Sequence, residues 1–276
     1  ILPNIYFRTG IIDPYFNLFI FISIYFCYRS FQLKTISNMV FAGLFAGLAI
    51  ITKGPVAVLI IALVGLIYFV ISRRKISFKQ LIVFSLVLLV TTFIWYGYEI
   101  YNKGPWFIIE FINYQIDLFS RPVAGHKQPI YYHFLVLLLG CFPFSFFAFK
   151  NCSNSSGFNL EFEKVMRILF WVVLILFTIV TTKIIHYSSL AYFPLSFLGS
   201  VELYKINLGK KMSRVLSLLL VFFGSFLSFT LIFVIYIFIN NKYWLASVIK
   251  DKNFQFMLDQ EIPWYGWEWA IPIFLL

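Results

Sequence analysis

Four short stretches of an otherwise apolar chain place charged or imidazole side chains beside helix breaks. The first runs from Arg8 to Asp13-Pro14, and the second is Thr52-Lys53-Gly54-Pro55. The third begins at Arg121-Pro122 and continues through Gly125-His126-Lys127-Gln128-Pro129. The fourth is Thr182-Lys183-Ile184-Ile185-His186-Tyr187. A lysine in hydrocarbon costs roughly 2.5–3.5 kcal/mol on insertion scales, so Lys53 needs a reason to stand between two long apolar runs. Gly54 can end one helix and Pro55 can open the next, where its missing N–H costs nothing; Lys53 then lies at the tip of a helical hairpin. Asp13-Pro14 has helix-start chemistry, with Asp as N-cap and Pro first in the helix. Each stretch also has a plain explanation, a lysine snorkelling to headgroups or an aspartate that only caps. Gathered on one face, the cations suit an anionic ligand. Clustered Arg, His and Lys at a membrane surface can bind a phosphate.

The elements that must position these residues are membrane helices. The 276 residues are 61% hydrophobic and 12% charged, with a mean hydropathy of +0.88, which excludes a soluble globule. The chain opens at Ile1 without a methionine and closes at Leu276 inside an apolar run, so it reads as a fragment forming one transmembrane domain over 1–276, with earlier spans and a first loop missing. Cys27, Cys141 and Cys152 have no paired spacing and suggest neither a disulfide framework nor a zinc knuckle. Apolar stretches at 14–30, 36–51, 55–72, 80–97, 131–149, 165–182, 187–204 and 215–240 predict eight spans, with a truncated ninth from about Trp267.

With that segmentation the connectors alternate between two sides. One collects 13 of the 22 Lys and Arg residues against three acids, and the other holds nine against eight. The positive-inside rule makes the first side cytoplasmic, and this placement accounts for the net charge of +11 without a nucleic-acid partner. Arg8, Asp13, Lys53, the loop 98–130, Lys183, His186 and all three histidines then lie on the extracytoplasmic side. Within that loop the sequence PWFIIEFINYQIDLF sets Glu110, Asn113, Tyr114 and Asp117 at helical spacing, which predicts an amphipathic helix lying in the interface. In the second span Gly43 and Gly47 form a small-residue face suited to close helix packing.

The run GLFAGLAIITKGPVAVLI resembles the Leu-Thr-Lys-Gly-Pro segment of the bacterial protein-mannosyltransferase-like family, the GT-C-fold membrane glycosyltransferases that include lipid A aminoarabinose transferases. Three further stretches resemble the family in its own order: FRTGIIDPYFNLFIFISIYFCYR, RPVAGHKQPIYYHFLVLLLGCFPF and TTKIIHYSSLAYFPL. Together they cover roughly residues 5–200. The chain departs from the pattern at Ile184-Ile185, where Leu-Pro is common, and at Phe144, where the family often has Trp.

The resemblance implies an all-α, GT-C-like bundle that moves a sugar from a polyprenyl-phosphate donor to a lipid, glycan or protein acceptor outside the cytoplasm of a bacterial inner membrane, with inversion. It implies that Asp13 is catalytic, that Lys53 lies near the carrier phosphate with Arg8, Lys183 and Arg121 in support, and that His126 and His186 face substrate or a divalent metal. No other cofactor is implied. The family's first-loop acid would lie in the missing part. A transporter or flippase for a lipid-linked or anionic substrate is the rival reading. It would place its charges near mid-bilayer on broken helices and show repeated halves, whereas these charges cluster at one face.

Overall fold

Backbone that crosses hydrocarbon must satisfy its own hydrogen bonds, so long apolar runs fold as helices. The computed structural model describes residues 2–73, 77–120, 128–153, 161–249, 255 and 265–274. The helices are α1 (Leu2–Arg8), α2 (Asp13–Leu33), α3 (Ile36–Lys53), α4 (Val56–Ser72), α5 (Phe78–Lys103), α6 (Trp106–Ser120), α7 (Tyr132–Gly140), α8 (Phe144–Ser153) and α9 (Glu161–Ile179). A 3-10 segment, Ile185–Ala191, leads into α10 (Tyr192–Asn207). Then come α11 (Arg214–Asn240), α12 (Lys242–Val248), a 3-10 turn at Trp267–Trp269, and α13 (Ala270–Phe274).

The chain divides into two compact units, Ile1–Gly209 and Lys210–Leu276. In the first, α2 packs on α3 and α3 on α5, while α4 joins these to α9, and α10 packs on α8 and α9. The core between them is built from fully buried side chains such as Ile20, Ile60, Met166, Leu169 and Leu198. The close α3–α5 contact rests on the glycines that the sequence singled out. A Cβ on Gly43 would come within 2.6 Å of the Phe84 carbonyl oxygen, and one on Gly47 within 2.6 Å of the Thr91 Cβ. In the second unit α11 packs against α12 and α13, with Ser213 accepting from the Leu216 N–H to cap its start and Ser228 donating to the Pro272 carbonyl.

The all-α multi-pass bundle agrees with the sequence reading, and several boundaries are sharper. Among the described residues four helices, α2, α3, α5 and α11, are long and apolar enough to cross a membrane; α4 is a shorter apolar helix of 17 residues. The segment 131–149 is not one helix. It breaks into α7 and α8 at Cys141-Phe142-Pro143, because Pro143 has no N–H for the i−4 bond. The span expected at 187–204 starts as a 3-10 segment and becomes α-helical only at Tyr192. The stretch expected to be an amphipathic helix forms α6, one residue later than its predicted start.

Two turns share one solution. Lys53-Gly54-Pro55 and Lys103-Gly104-Pro105 each end a helix on lysine, turn at a glycine and start the next helix after proline. Gly54 has φ 109°, ψ −171° and its N–H bonds to Ile50 O at 2.8 Å; Gly104 has φ 82°, ψ 173° and bonds to Ile100 O at 2.9 Å. Both conformations belong to the region only glycine enters readily. The two turns also meet through α6, whose Phe111 ring lies where a Gly54 Cβ would be, 2.7 Å away.

Candidate active site

Asp13 is the first residue of α2 rather than its cap. The cap position is Ile12, and no side chain caps the helix. Freed from capping, the carboxylate is buried at 5% exposure and accepts a hydrogen bond from Lys53 Nζ at 2.5 Å. The antiparallel α2–α3 hairpin makes this pairing possible, since it sets the start of α2 beside the end of α3. Lys53 also lies over two rings, 4.8 Å from the Tyr187 centroid and 5.9 Å from that of Phe16, so aromatic faces supply part of its solvation. His186 Nε2 stands 3.9 Å from the same Asp13 oxygen, beyond hydrogen-bond reach. Lysine has three N–H donors, and the Asp13 bond uses one.

The pair forms the wall of a cavity of about 300 Å³. Asp13, Phe16 and Asn17 come from α2, Thr52 and Lys53 from α3, and Phe177, Val180 and Tyr187 from the region joining α9 to the 3-10 segment. Phe111, Tyr114 and Gln115 of α6 complete the lining, so the amphipathic helix turns one face to the pair. On its other side Asp13 borders a wider concavity of about 1110 Å³, shared with Arg8, Thr9, Tyr15 and Phe193. One carboxylate therefore borders two spaces, one with Lys53 and the other with Arg8.

Behind the pair a polar network fixes the 3-10 segment. Buried Asn17, one helical turn after Asp13, donates from Nδ2 to Tyr6 OH at 2.8 Å and to Ser189 Oγ at 2.7 Å. Ser189 in turn donates to the His186 carbonyl. His133 Nδ1 lies 3.1 Å from Ser188 Oγ. Burial pushes the Tyr6 phenol well above its ordinary value of 10.0, so it stays neutral and serves as a hydrogen-bonding post.

The expected residues are therefore brought together unequally. Asp13, Lys53 and His186 converge, and Arg8 only shares the lining of the second concavity with Asp13. Lys183 is buried in its own turn, where Nζ donates to Val180 O at 2.9 Å, and it does not line the Lys53 cavity. Arg121 and His126 lie outside the described residues. Sequence reasoning gave no role to Tyr187, Asn17 or the α6 residues Phe111, Tyr114 and Gln115. Asn17 had a legible cue, a polar residue four positions after Asp13 on the same helix face. A divalent metal at Asp13 finds a poor donor set. Among the described residues no three His, Cys, Asp or Glu side chains converge, and the Asp13 oxygen nearest His186 already holds an ammonium.

Comparison with known proteins bears on the family resemblance. Residues 2–96 match the model of the dolichyl-phosphate-mannose-protein mannosyltransferase family. The chain is 28% identical over 226 residues, 79% of its length, to an undecaprenyl phosphate-alpha-4-amino-4-deoxy-L-arabinose arabinosyl transferase of Wigglesworthia glossinidia brevipalpis, covering 39% of that protein. It is 25% identical over 234 residues to such a transferase of Proteus mirabilis, covering 78% of this chain and 40% of the relative. An uncharacterized protein of Aquifex aeolicus is 28% identical over 210 residues, 75% of this chain and 45% of that protein. The chain thus spans about two fifths of the length of the curated relatives it matches. No solved structure gives a significant match. The likeness first carried by four ordered motifs, to the protein-mannosyltransferase-like membrane glycosyltransferases, is shown by these matches, and the family model covers both Asp13 and Lys53.

Proposed function

We propose that this chain forms the donor-site part of a membrane glycosyltransferase that takes a sugar from a polyprenyl phosphate and passes it to an acceptor on the extracytoplasmic side of a bacterial cytoplasmic membrane. The observation that carries the reading is the ion pair between buried Asp13 and partly exposed Lys53 at the wall of a cavity roofed by an amphipathic helix. Two relatives named as undecaprenyl-phosphate aminoarabinose transferases support the donor class.

The chemistry follows from the charges. The sugar–phosphate bond breaks as the carrier phosphate leaves with the bonding electrons, and a cation fixed in a partly dry site stabilises that developing charge. Lys53 holds this role, because its remaining donors are available to an anion entering the cavity while Asp13 and Tyr187 fix its position. An acceptor hydroxyl attacks the anomeric carbon from the opposite face and gives its proton to a carboxylate, which inverts the centre. Asp13 suits this task because it borders both concavities, so donor and acceptor can meet across it. Arg8 faces the second space and suits an acceptor that carries negative charge.

The test uses the complete protein, reconstituted with an undecaprenyl-phosphate-linked sugar. Asp13→Asn should lower transfer by about 10²–10⁴, and Lys53→Ala by about 10²–10³, with membrane insertion unchanged. Full activity in both variants sinks the assignment.

A further inference from the structure

A third concavity in the first unit is separate from the Asp13 pair. It is a groove of about 510 Å³ between α4 and α9, and its wall includes Ile67, Ile71, Ile175 and Ile179, with Lys164 and Arg167 at one end. The isoleucines are exposed, Ile71 at 59% and Ile179 at 72%, so the groove opens on the outside of this unit. The inner side of this region is separate: Phe177 of α9 and Val180 just beyond its end, both buried, line the Asp13 cavity.

The cations give the groove a polar end. Lys164 pairs with Glu161 at 2.8 Å, and Arg167 Nη1 stands 4.0 Å from Glu163 Oε1, an ion pair too long for a hydrogen bond. Neither glutamate lines the groove; Glu163 is buried behind it at 1% exposure. The face offered to a ligand is therefore cationic, and a guanidinium presents a planar fork of donors matched to phosphate oxygens. From Arg167 to Ile179 the helix rises about 18 Å, comparable to one leaflet of a hydrocarbon core about 30 Å thick. Trp171 borders the groove, fixed by a hydrogen bond from its indole Nε1 to the Cys152 carbonyl at 3.0 Å.

We propose that this groove binds one anionic phospholipid, with its phosphodiester at Arg167 and Lys164 and an acyl chain lying along α4 and α9. Charge complementarity at one end and a leaflet-length apolar wall at the other select this occupant over a zwitterionic lipid. The site lies at the end of α9 away from the Asp13 cavity, so the phosphate it holds is not the donor's.

The experiment is native mass spectrometry of the complete protein released from nanodiscs that contain equal phosphatidylglycerol and phosphatidylcholine. The wild type should retain one phosphatidylglycerol with about tenfold preference, and the Lys164→Gln/Arg167→Gln double variant should lose that preference. Ile175→Trp, which fills the groove and leaves both cations in place, should lose the retained lipid. Equal retention of the two lipids by the wild type overturns the proposal, as does an unchanged preference in either variant. Stoichiometric displacement of phosphatidylglycerol by undecaprenyl phosphate also overturns it, because the groove would then house the carrier.

Discussion

Lys53 is held by the Asp13 carboxylate on one side and by the Tyr187 ring on another, and this binds the stability of the site to its chemistry. Removing the ammonium leaves a buried carboxylate without its partner. That costs about 3–5 kcal/mol for a fully buried pair, and less here because the Lys53 side chain is 29% exposed. Lys53→Ala should therefore lower the melting temperature of the detergent-solubilised protein, whereas Asp13→Asn combined with Lys53→Met should recover most of that loss and still show no sugar transfer. Recovery of transfer along with stability would remove Asp13 from the chemistry. Both residues were legible in the sequence because a charge among apolar residues is expensive and stands out. Tyr187 was not, because an aromatic next to a histidine in a chain with 22% aromatic residues carries little information of its own. The carboxylate's release from capping was also hidden, since Asp-Pro reads equally well as a cap or as a first turn.

At the scale of elements, the paired Lys-Gly-Pro turns are the devices that aim the site. Gly54→Ala meets two penalties, a backbone conformation costing about 1–3 kcal/mol for a residue with a Cβ and a contact with Phe111 at 2.7 Å. Gly104→Ala meets only the first, with its nearest neighbour Trp106 at 3.8 Å. Thermal unfolding should thus rank Gly54→Ala as more destabilising than Gly104→Ala, and Phe111→Ala should rescue part of the former and none of the latter. Equal losses in both would mean that α6 does not rest on the Gly54 turn. The sequence revealed α6 through its polar stripe and the α3–α5 contact through Gly43 and Gly47, both of which are periodic features. It hid the α7–α8 break, because the apolar run continues through Pro143 and hydropathy does not register a missing N–H. The short α1 was equally hidden, being too brief to show a period.

For the whole molecule, the charge distribution and the proposed donor site make one statement about orientation. In cells carrying the complete protein in a Cys27→Ser background, an impermeant maleimide should label Asn102→Cys in intact cells of a strain with a permeable outer envelope. Lys210→Cys should react only after the inner membrane is opened; the reverse pattern would invert the topology and take the Asp13 cavity to the cytoplasm. That orientation bears on how the chain is made. Asp13 and Lys53 stand at the two open ends of a hairpin whose helices are joined only by Lys34 and Thr35, so the two charges are made 40 residues apart on one folding unit. In the proposed orientation each must cross hydrocarbon to reach the far face, and alone each would meet the insertion penalty of a bare charge. Emerging together as a closed hairpin, they would cross as a neutralised couple, and the bond proposed to position the chemistry would first serve as a passport for translocation.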